Sequence, residues 1–191
     1  LDDEERALLV DWASGDALEG DEATATAAEL HTARLADTDV DMPMPFEHTL
    51  QPDEEGSEYF CMVPDNPVTE TRYITGIDVD LGNQKVVHHM CLFVDYRGNA
   101  GSGYGVSDPS NGFQCADPII ENDWLPLHCW APGMEPVEFP EGMGMEIQPG
   151  YQLVLQMHYF QDDPSVTETD FSSYRFRTTD SVEREVFMDI V

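Results

Sequence analysis

Three histidines have the residue type and setting best suited to chemistry in this sequence. His88 and His89 are adjacent in the apolar run Val-Val-His-His-Met-Cys-Leu-Phe, and His158 lies in the run Leu-Val-Leu-Gln-Met-His-Tyr. Neutral imidazole binds copper, zinc, nickel and iron, and three histidines without carboxylate or thiolate suit copper in either oxidation state. The alternative is that all three are core histidines whose ring nitrogens are satisfied by hydrogen bonds.

Both histidine runs read as buried β-strands, which sets a structural condition on any shared site. Neighbouring residues of a strand point to opposite faces of the sheet. His88 and His89 can therefore bind one ion only where their strand bulges, twists or ends.

The wider pattern predicts a mainly β fold over residues 40–191, an antiparallel β-sandwich of jelly-roll-like type. Short β-rich runs separated by turn residues begin at about Val40. Residues 98–105, rich in Gly, and residues 130–144, which contain Pro and Gly, read as long surface connections. The predicted strands cover residues 59–63, 72–79, 85–94, 145–148, 151–159 and 171–177.

Residues 1–39 form a second region, predicted to be an acidic helical extension and linker. Asp2 and Glu5 have the spacing of a capping box, and Leu8, Leu9 and Trp12 then share one helical face. This short segment resembles the closing helix of a small cytochrome c domain, whose preceding part would lie upstream. We therefore expect the sequence to begin inside a longer protein, with residues 21–28 as connection.

The charge balance excludes some partners. The chain has 39 acidic and 8 basic residues, a net charge of −31, and Lys85 is its only lysine. Such a surface repels nucleic acid and anionic lipid, and it favours either a cationic partner or plain solubility. No apolar run approaches the roughly 18 residues of a membrane span.

Four cysteines without a Cys-x-x-Cys pair favour two disulfides over a zinc ribbon or a thioredoxin-like motif. Disulfides indicate an oxidising compartment, so we expect an extracytoplasmic protein, periplasmic or secreted. Four cysteines allow three connectivities, which the residues alone leave open. Cys91 has a further possible role as a thiolate ligand, because it follows His89 by two residues on the same strand face.

A family resemblance extends over roughly residues 40–191. It rests on the strings Glu-Tyr-Phe-Cys-Met-Val-Pro (58–64), Tyr-Ile-Thr-Gly-Ile-Asp (73–78), Val-Val-His-His-Met (86–90), Trp-Ala-Pro-Gly (130–133), Pro-Glu-Gly-Met-Gly (140–144) and Leu-Gln-Met-His-Tyr (155–159). Together they resemble the N-terminal domain of the copper type II, ascorbate-dependent monooxygenases, the family of the peptidylglycine α-hydroxylating and dopamine β-monooxygenases.

The resemblance implies a sandwich that holds one electron-transfer copper through His88, His89 and His158. It also implies a Cys61–Cys115 disulfide, which leaves Cys91 to pair with Cys129. In the family a second domain, with a His-x-His pair and a Met, activates oxygen. This sequence has no His-x-His pair, so we predict no catalytic residue within it.

The resulting expectation is the copper-binding, electron-transfer domain of a larger extracytoplasmic monooxygenase. One alternative is a stand-alone copper module that exchanges electrons with a cytochrome or another redox partner. The other is a structural subunit that keeps the sandwich with vacant histidines and docks to a partner.

The remaining candidate residues are expected to have ordinary roles. His31, His48 and His128 are assigned to surface or hydrogen-bonding positions, His128 in a loop. Asp162 and Asp163 are assigned to a polar turn before Pro164, with orientation of an imidazole as the alternative. Four methionines have side chains that can act as soft copper ligands: Met42, Met44, Met90 and Met157. Met90 and Met157 also suit core strands, and filling gaps in a core is the commoner use of methionine.

Overall fold

The computed structural model describes residues 2–15, 20, 34–115 and 124–187, in two compact units, Leu1–Leu30 and His31–Val191. In the first unit, helix α1 (Asp3–Ser14) begins with the predicted capping box. The Asp2 carboxylate accepts from the Glu5 amide at 2.8 Å, and the Glu5 carboxylate accepts from the Asp2 amide at 2.8 Å. The short helix is thus confirmed. The predicted linker at residues 21–28 lies outside the described residues, and the boundary at residue 40 stays a prediction.

The described residues of the second unit form thirteen strands. They are β1 (Val40–Pro43), β2 (His48–Thr49), β3 (Ser57–Met62), β4 (Arg72–Asp80), β5 (Val87–Asp95), β6 (Phe113–Gln114), β7 (Leu125–Trp130), β8 (Val137–Glu138), β9 (Met143–Ile147), β10 (Gln152–Phe160), β11 (Thr169–Asp170), β12 (Ser173–Thr179) and β13 (Arg184–Glu185). Short 3-10 helices, Ser102–Tyr104 and Pro109–Asn111, interrupt the connection between β5 and β6.

Two sheets pack face to face. The first has the order β1-β12-β4-β9-β13, with β8 beside β4, and the second has the order β6-β3-β10-β5-β7. Strands β2 and β11 form a separate two-stranded ribbon. Apart from the parallel pair of β13 and β9, every pairing among the described strands is antiparallel. The predicted mainly β, antiparallel sandwich is confirmed.

One apolar core fills the space between the sheets, because the strands alternate buried and outward residues. Ile74, Ile77 and Phe176 enter it from the first sheet, and Leu92 and Leu155 enter it from the second. A smaller cluster, which includes Phe93 and Val154, covers the outer face of the second sheet. No helix of the described chain has the length and apolarity to cross a bilayer.

The six predicted strands are present, with ends shifted by up to two residues. Residues 98–105 form a connection between β5 and β6, as predicted, but the second predicted connection differs. Residues 130–144, expected as a surface connection, contain the end of β7, the strand β8 and the start of β9. Strand β7 was missed because Pro126 and the polar His128 interrupt its apolar pattern. Strand β7 also overturns the expectation that His128 lies in a loop.

Candidate metal centre

A β-bulge brings the adjacent histidines together. Between β5 and β10, His89 lies opposite His158 but Val87 lies opposite Tyr159, so the register shifts and His88 is the extra residue. A regular ladder would send His88 and His89 to opposite faces. Here their ring centroids are 4.3 Å apart. The condition for a shared site is therefore met by a bulge.

The three rings present the same nitrogen to one another. His158 Nδ1 lies 3.1 Å from His88 Nδ1 and 3.2 Å from His89 Nδ1. Two imidazole nitrogens bound tetrahedrally to one ion at about 2.0 Å would lie about 3.3 Å apart. Candidate ligand atoms on all three residues lie within 4.8 Å of one another, so the residues fit a single metal ion.

Two residues of β3 orient the His158 ring. Ser57 Oγ lies 3.2 Å from His158 Nε2, and the Tyr59 ring stacks on His158 with centroids 3.9 Å apart. When the ring proton is on Nε2, Nε2 donates it to Ser57 Oγ and Nδ1 keeps a lone pair for a metal. Such partners of the second ring nitrogen select the tautomer of ligand histidines.

The site opens to solvent on one side. His88 is exposed, whereas His89 and His158 are half-buried. The ring of Phe160, itself 44% exposed, lies 6.4 Å from the His88 ring. An external molecule can therefore approach the His88 ring from solvent without a change in the protein conformation.

Other soft donors are directed elsewhere. Met90 and Met157 are fully buried, beside His89 and His158 in sequence but on the inner face of the sheet, and Met42 and Met44 belong to the same core. Cys91 is bonded to Cys129, so it is not a thiolate. In the described part of the chain the cluster contains imidazole only, a donor set that suits copper or zinc.

The disulfides Cys61–Cys115 and Cys91–Cys129 form the two pairs that the resemblance implies. They lie one row from the histidines on the outer face of the second sheet. In that row Gln156 is opposite both Cys61 and Cys91, and Cys91 is opposite Cys129. One disulfide thereby ties β3 to the residue after β6, and the other ties β5 to β7, next to the site.

Comparison with known proteins gives one family match. The model described as copper type II ascorbate-dependent monooxygenase, N-terminal domain, matches residues 44–165, more than half of the chain. The chain belongs to this family. The family is copper-dependent, and the matched range contains all three histidines of the cluster. No curated protein matches the chain.

His48, assigned from the sequence to a surface or hydrogen-bonding position, is buried in this monooxygenase domain and pairs with Glu58. Its Nε2 lies 3.1 Å from Glu58 Oε1, and its ring stacks on Phe60 at 4.0 Å. Burial raises the pKa of Glu58, but hydrogen bonds from His48, Gln114 and the Gln51 amide outweigh it and hold that pKa below its ordinary value. No sequence spacing links residues 48 and 58, which meet only through tertiary pairing.

His128 is also buried, on β7, with Nδ1 3.3 Å from the Tyr174 hydroxyl oxygen. Tyr174 donates its proton to the Met90 carbonyl, so His128 Nδ1 acts as the donor and Nε2 is left buried without a partner. Burial lowers the pKa of His128 to about 4. His128 is thus a neutral core residue and does not belong to the metal-binding cluster. His31 lies outside the described residues.

Asp162 and Asp163 lie in a polar turn, the ordinary role expected of them. Asp163 Oδ1 accepts from the Ser165 amide at 3.0 Å and from its hydroxyl at 2.6 Å. The bonds from the Ser165 hydroxyl and amide lower the pKa of Asp163.

Proposed function

We propose that this domain binds one copper ion through Nδ1 of His88, His89 and His158 and transfers single electrons. The observation that supports the proposal is the bulge at His88, which gathers three imidazole nitrogens at 3.1 and 3.2 Å spacing. The copper dependence of the family selects copper over zinc for this donor set.

When bound, copper supplies a one-electron couple between its two oxidation states. The residues of the chain have separate roles around it. Ser57 and Tyr59 hold the His158 ring, and the half-buried His89 and His158 limit access of water. The exposed edge of His88, beside Phe160, is where electrons enter or leave.

Hydroxylation is not part of the proposal for this domain. The resemblance assigns oxygen activation to a second copper domain with a His-x-His pair, and this sequence has none. The domain would act within a larger parent chain or complex, or with a cytochrome or other redox partner. The two disulfides support a periplasmic or secreted location.

Copper titration with elemental analysis tests the proposal. The wild-type chain should take up one copper ion, and His158→Ala should lower the affinity by at least about 100-fold because one of three ligands is lost. Leu125→Ala is the control, since Leu125 is an exposed residue opposite Val94, at the end of β5 away from the histidines. It should bind like wild type.

Voltammetry of the loaded chain tests electron transfer separately. A reversible one-electron wave that is absent from His158→Ala supports the proposal. Absence of copper binding, or binding that His158→Ala leaves unchanged, would overturn it, as would a native protein that carries only zinc.

A further inference from the structure

The bulge at His88 is held between two segments of chain. On one side is Tyr159, the residue of β10 that lies opposite Val87. On the other side is the turn before β5, where the Val86 and Val87 amides donate to the Asn83 carbonyl at 3.3 and 3.2 Å. Immediately past the bulge, the Phe160 amide donates to the Val86 carbonyl at 2.8 Å.

One buried carboxylate joins these two segments. The Tyr159 hydroxyl donates to Asp170 Oδ2 at 3.2 Å, and the Asn83 amide donates to Asp170 Oδ1 at 2.9 Å. Ser172 Oγ donates to Asp170 at 2.8 Å and accepts from the Gly82 amide at 3.0 Å. Asp170 is 2% exposed and Tyr159 and Ser172 are fully buried, so these bonds are shielded from water.

The register of the bulge determines where the histidines point. Because side chains alternate along a strand, a slip of one residue would move His88 to the opposite face. Val87 and Tyr159 form the cross-strand pair next to the extra residue His88. Asp170 bonds Tyr159 directly, and it reaches Val87 through Asn83, whose backbone amide it accepts and whose carbonyl accepts the Val87 amide. No sequence spacing predicts this, since residue 83 lies in the turn before β5, residue 159 in β10 and residue 170 in β11.

We propose that Asp170, with Tyr159 as its strand partner, is a positioning residue that sets the bulge and thereby the copper affinity of the three-histidine site. The inference rests on the proposed function only where it predicts copper affinity and the copper spectrum. The bulge itself can be measured without metal.

Two conservative variants test it. Tyr159→Phe removes only the hydroxyl, and Asp170→Asn keeps the shape but weakens the acceptor. The control is Asp95→Asn, at the opposite end of β5, where a carboxylate 2% exposed accepts the Arg97 and Asn99 amides at 2.8 Å. The control weakens the bonds of an equally buried carboxylate but none at the bulge.

In the metal-free chain, the Val87 and Phe160 amides should exchange faster with solvent in both test variants than in the control. The comparison is made after the exchange rates are corrected for any difference in global stability. In the copper-loaded chain, affinity should fall about 10- to 100-fold and the Cu(II) electron paramagnetic resonance spectrum should change. The control should keep the wild-type affinity and spectrum.

The possible failures are distinguishable. If wild type binds no copper, the proposed function fails, while amide exchange still decides the role of Asp170. If exchange at both amides equals that of the control, or if both variants keep the wild-type copper affinity and spectrum, Asp170 is only a structural residue and the inference is wrong.

Discussion

Ser57 and Tyr59 contact the same imidazole from two directions. The Ser57 hydroxyl meets His158 Nε2 at 3.2 Å, and Tyr59 stacks on the ring with an interplanar angle of 9°. Stacking fixes the plane of the ring, and the hydrogen bond holds Nε2 toward Ser57. His158 Nδ1 therefore faces His88 and His89.

Removal of that hydrogen bond should weaken copper binding. We expect Ser57→Ala to lower the copper affinity about tenfold, as loss of a hydrogen-bond partner behind a ligand histidine commonly does. Competition with a chelator measures the change. Ser57→Thr retains the hydroxyl and should bind within about twofold of wild type, and a Ser57→Ala variant with wild-type affinity would contradict this role.

The buried His128 gives the fold a pH dependence of its own. Its pKa is about 4 in the folded chain, against an ordinary 6.5 that the unfolded chain retains. Between these values the unfolded state binds more protons, so stability falls as pH decreases from about 6.5 to about 4. The difference corresponds to roughly 3 kcal/mol.

His128→Phe removes this titration while it keeps an aromatic ring in the core. We expect the free energy of unfolding to fall less steeply between pH 6.5 and pH 4 in the variant than in wild type. Urea unfolding at several pH values measures both slopes. Identical slopes would show that His128 is protonated at its ordinary pKa in the folded state.

Residue types predicted the candidate ligands but not their partners. His88, His89 and His158 stand out because they occur within apolar runs, where burial of a polar side chain is unfavourable unless it binds a partner. Ser57, Asp170 and the buried Glu58 carry no such signal. Their roles come from strand pairing, which one sequence does not reveal.

At the scale of elements, the sequence predicted that strand alternation would send His88 and His89 to opposite faces of the sheet. The structure shows that a β-bulge brings them to the same face. The need for a bulge followed from the adjacent histidines, whereas its place between His158 and Tyr159 depends on the register of β10 against β5. Long, β-branched strands such as β4 were predictable. Two-residue strands such as β8 were not, because they contain too few residues to show alternation.

The Cys91–Cys129 disulfide links β5 to the edge strand β7 directly beside the site. We expect the double variant Cys91→Ala, Cys129→Ala to lose roughly 4 kcal/mol of stability by chain-entropy arguments. Copper affinity should stay close to that of wild type, since neither sulfur is a ligand. Denaturation and chelator competition measure the two effects.

Visible absorbance tests the thiolate alternative for Cys91. Copper-loaded wild type with its disulfides intact should show no intense copper-thiolate absorption, because Cys91 is bonded to Cys129. Appearance of that band, with its loss in the double variant, would assign Cys91 to the metal.

At the scale of the whole molecule, the net charge of −31 governs encounters with charged reactants. A cationic one-electron reductant such as hexaammineruthenium(II) should reduce the copper-loaded chain faster at low salt than at high salt, because salt screens its attraction to the acidic chain. Its rate should fall roughly tenfold between about 0.01 and 0.5 M salt, as the Debye length shortens from about 30 Å to below 10 Å.

Ferrocyanide, an anion, is the matched control for this prediction. Its rate should rise over the same range of salt because screening relieves repulsion. Stopped-flow absorbance measures both reactions. Equal salt dependence for the two reactants would show that the acidic surface does not steer electron donors, and that its role is solubility.

The measurement that tests the central claim most directly is a crystal structure of the copper-loaded chain with anomalous diffraction at the copper edge. We predict one copper peak per chain, about 2 Å from Nδ1 of each of His88, His89 and His158. A peak at surface carboxylates, a peak that contacts fewer than three of these nitrogens, or no peak after copper loading would contradict the account.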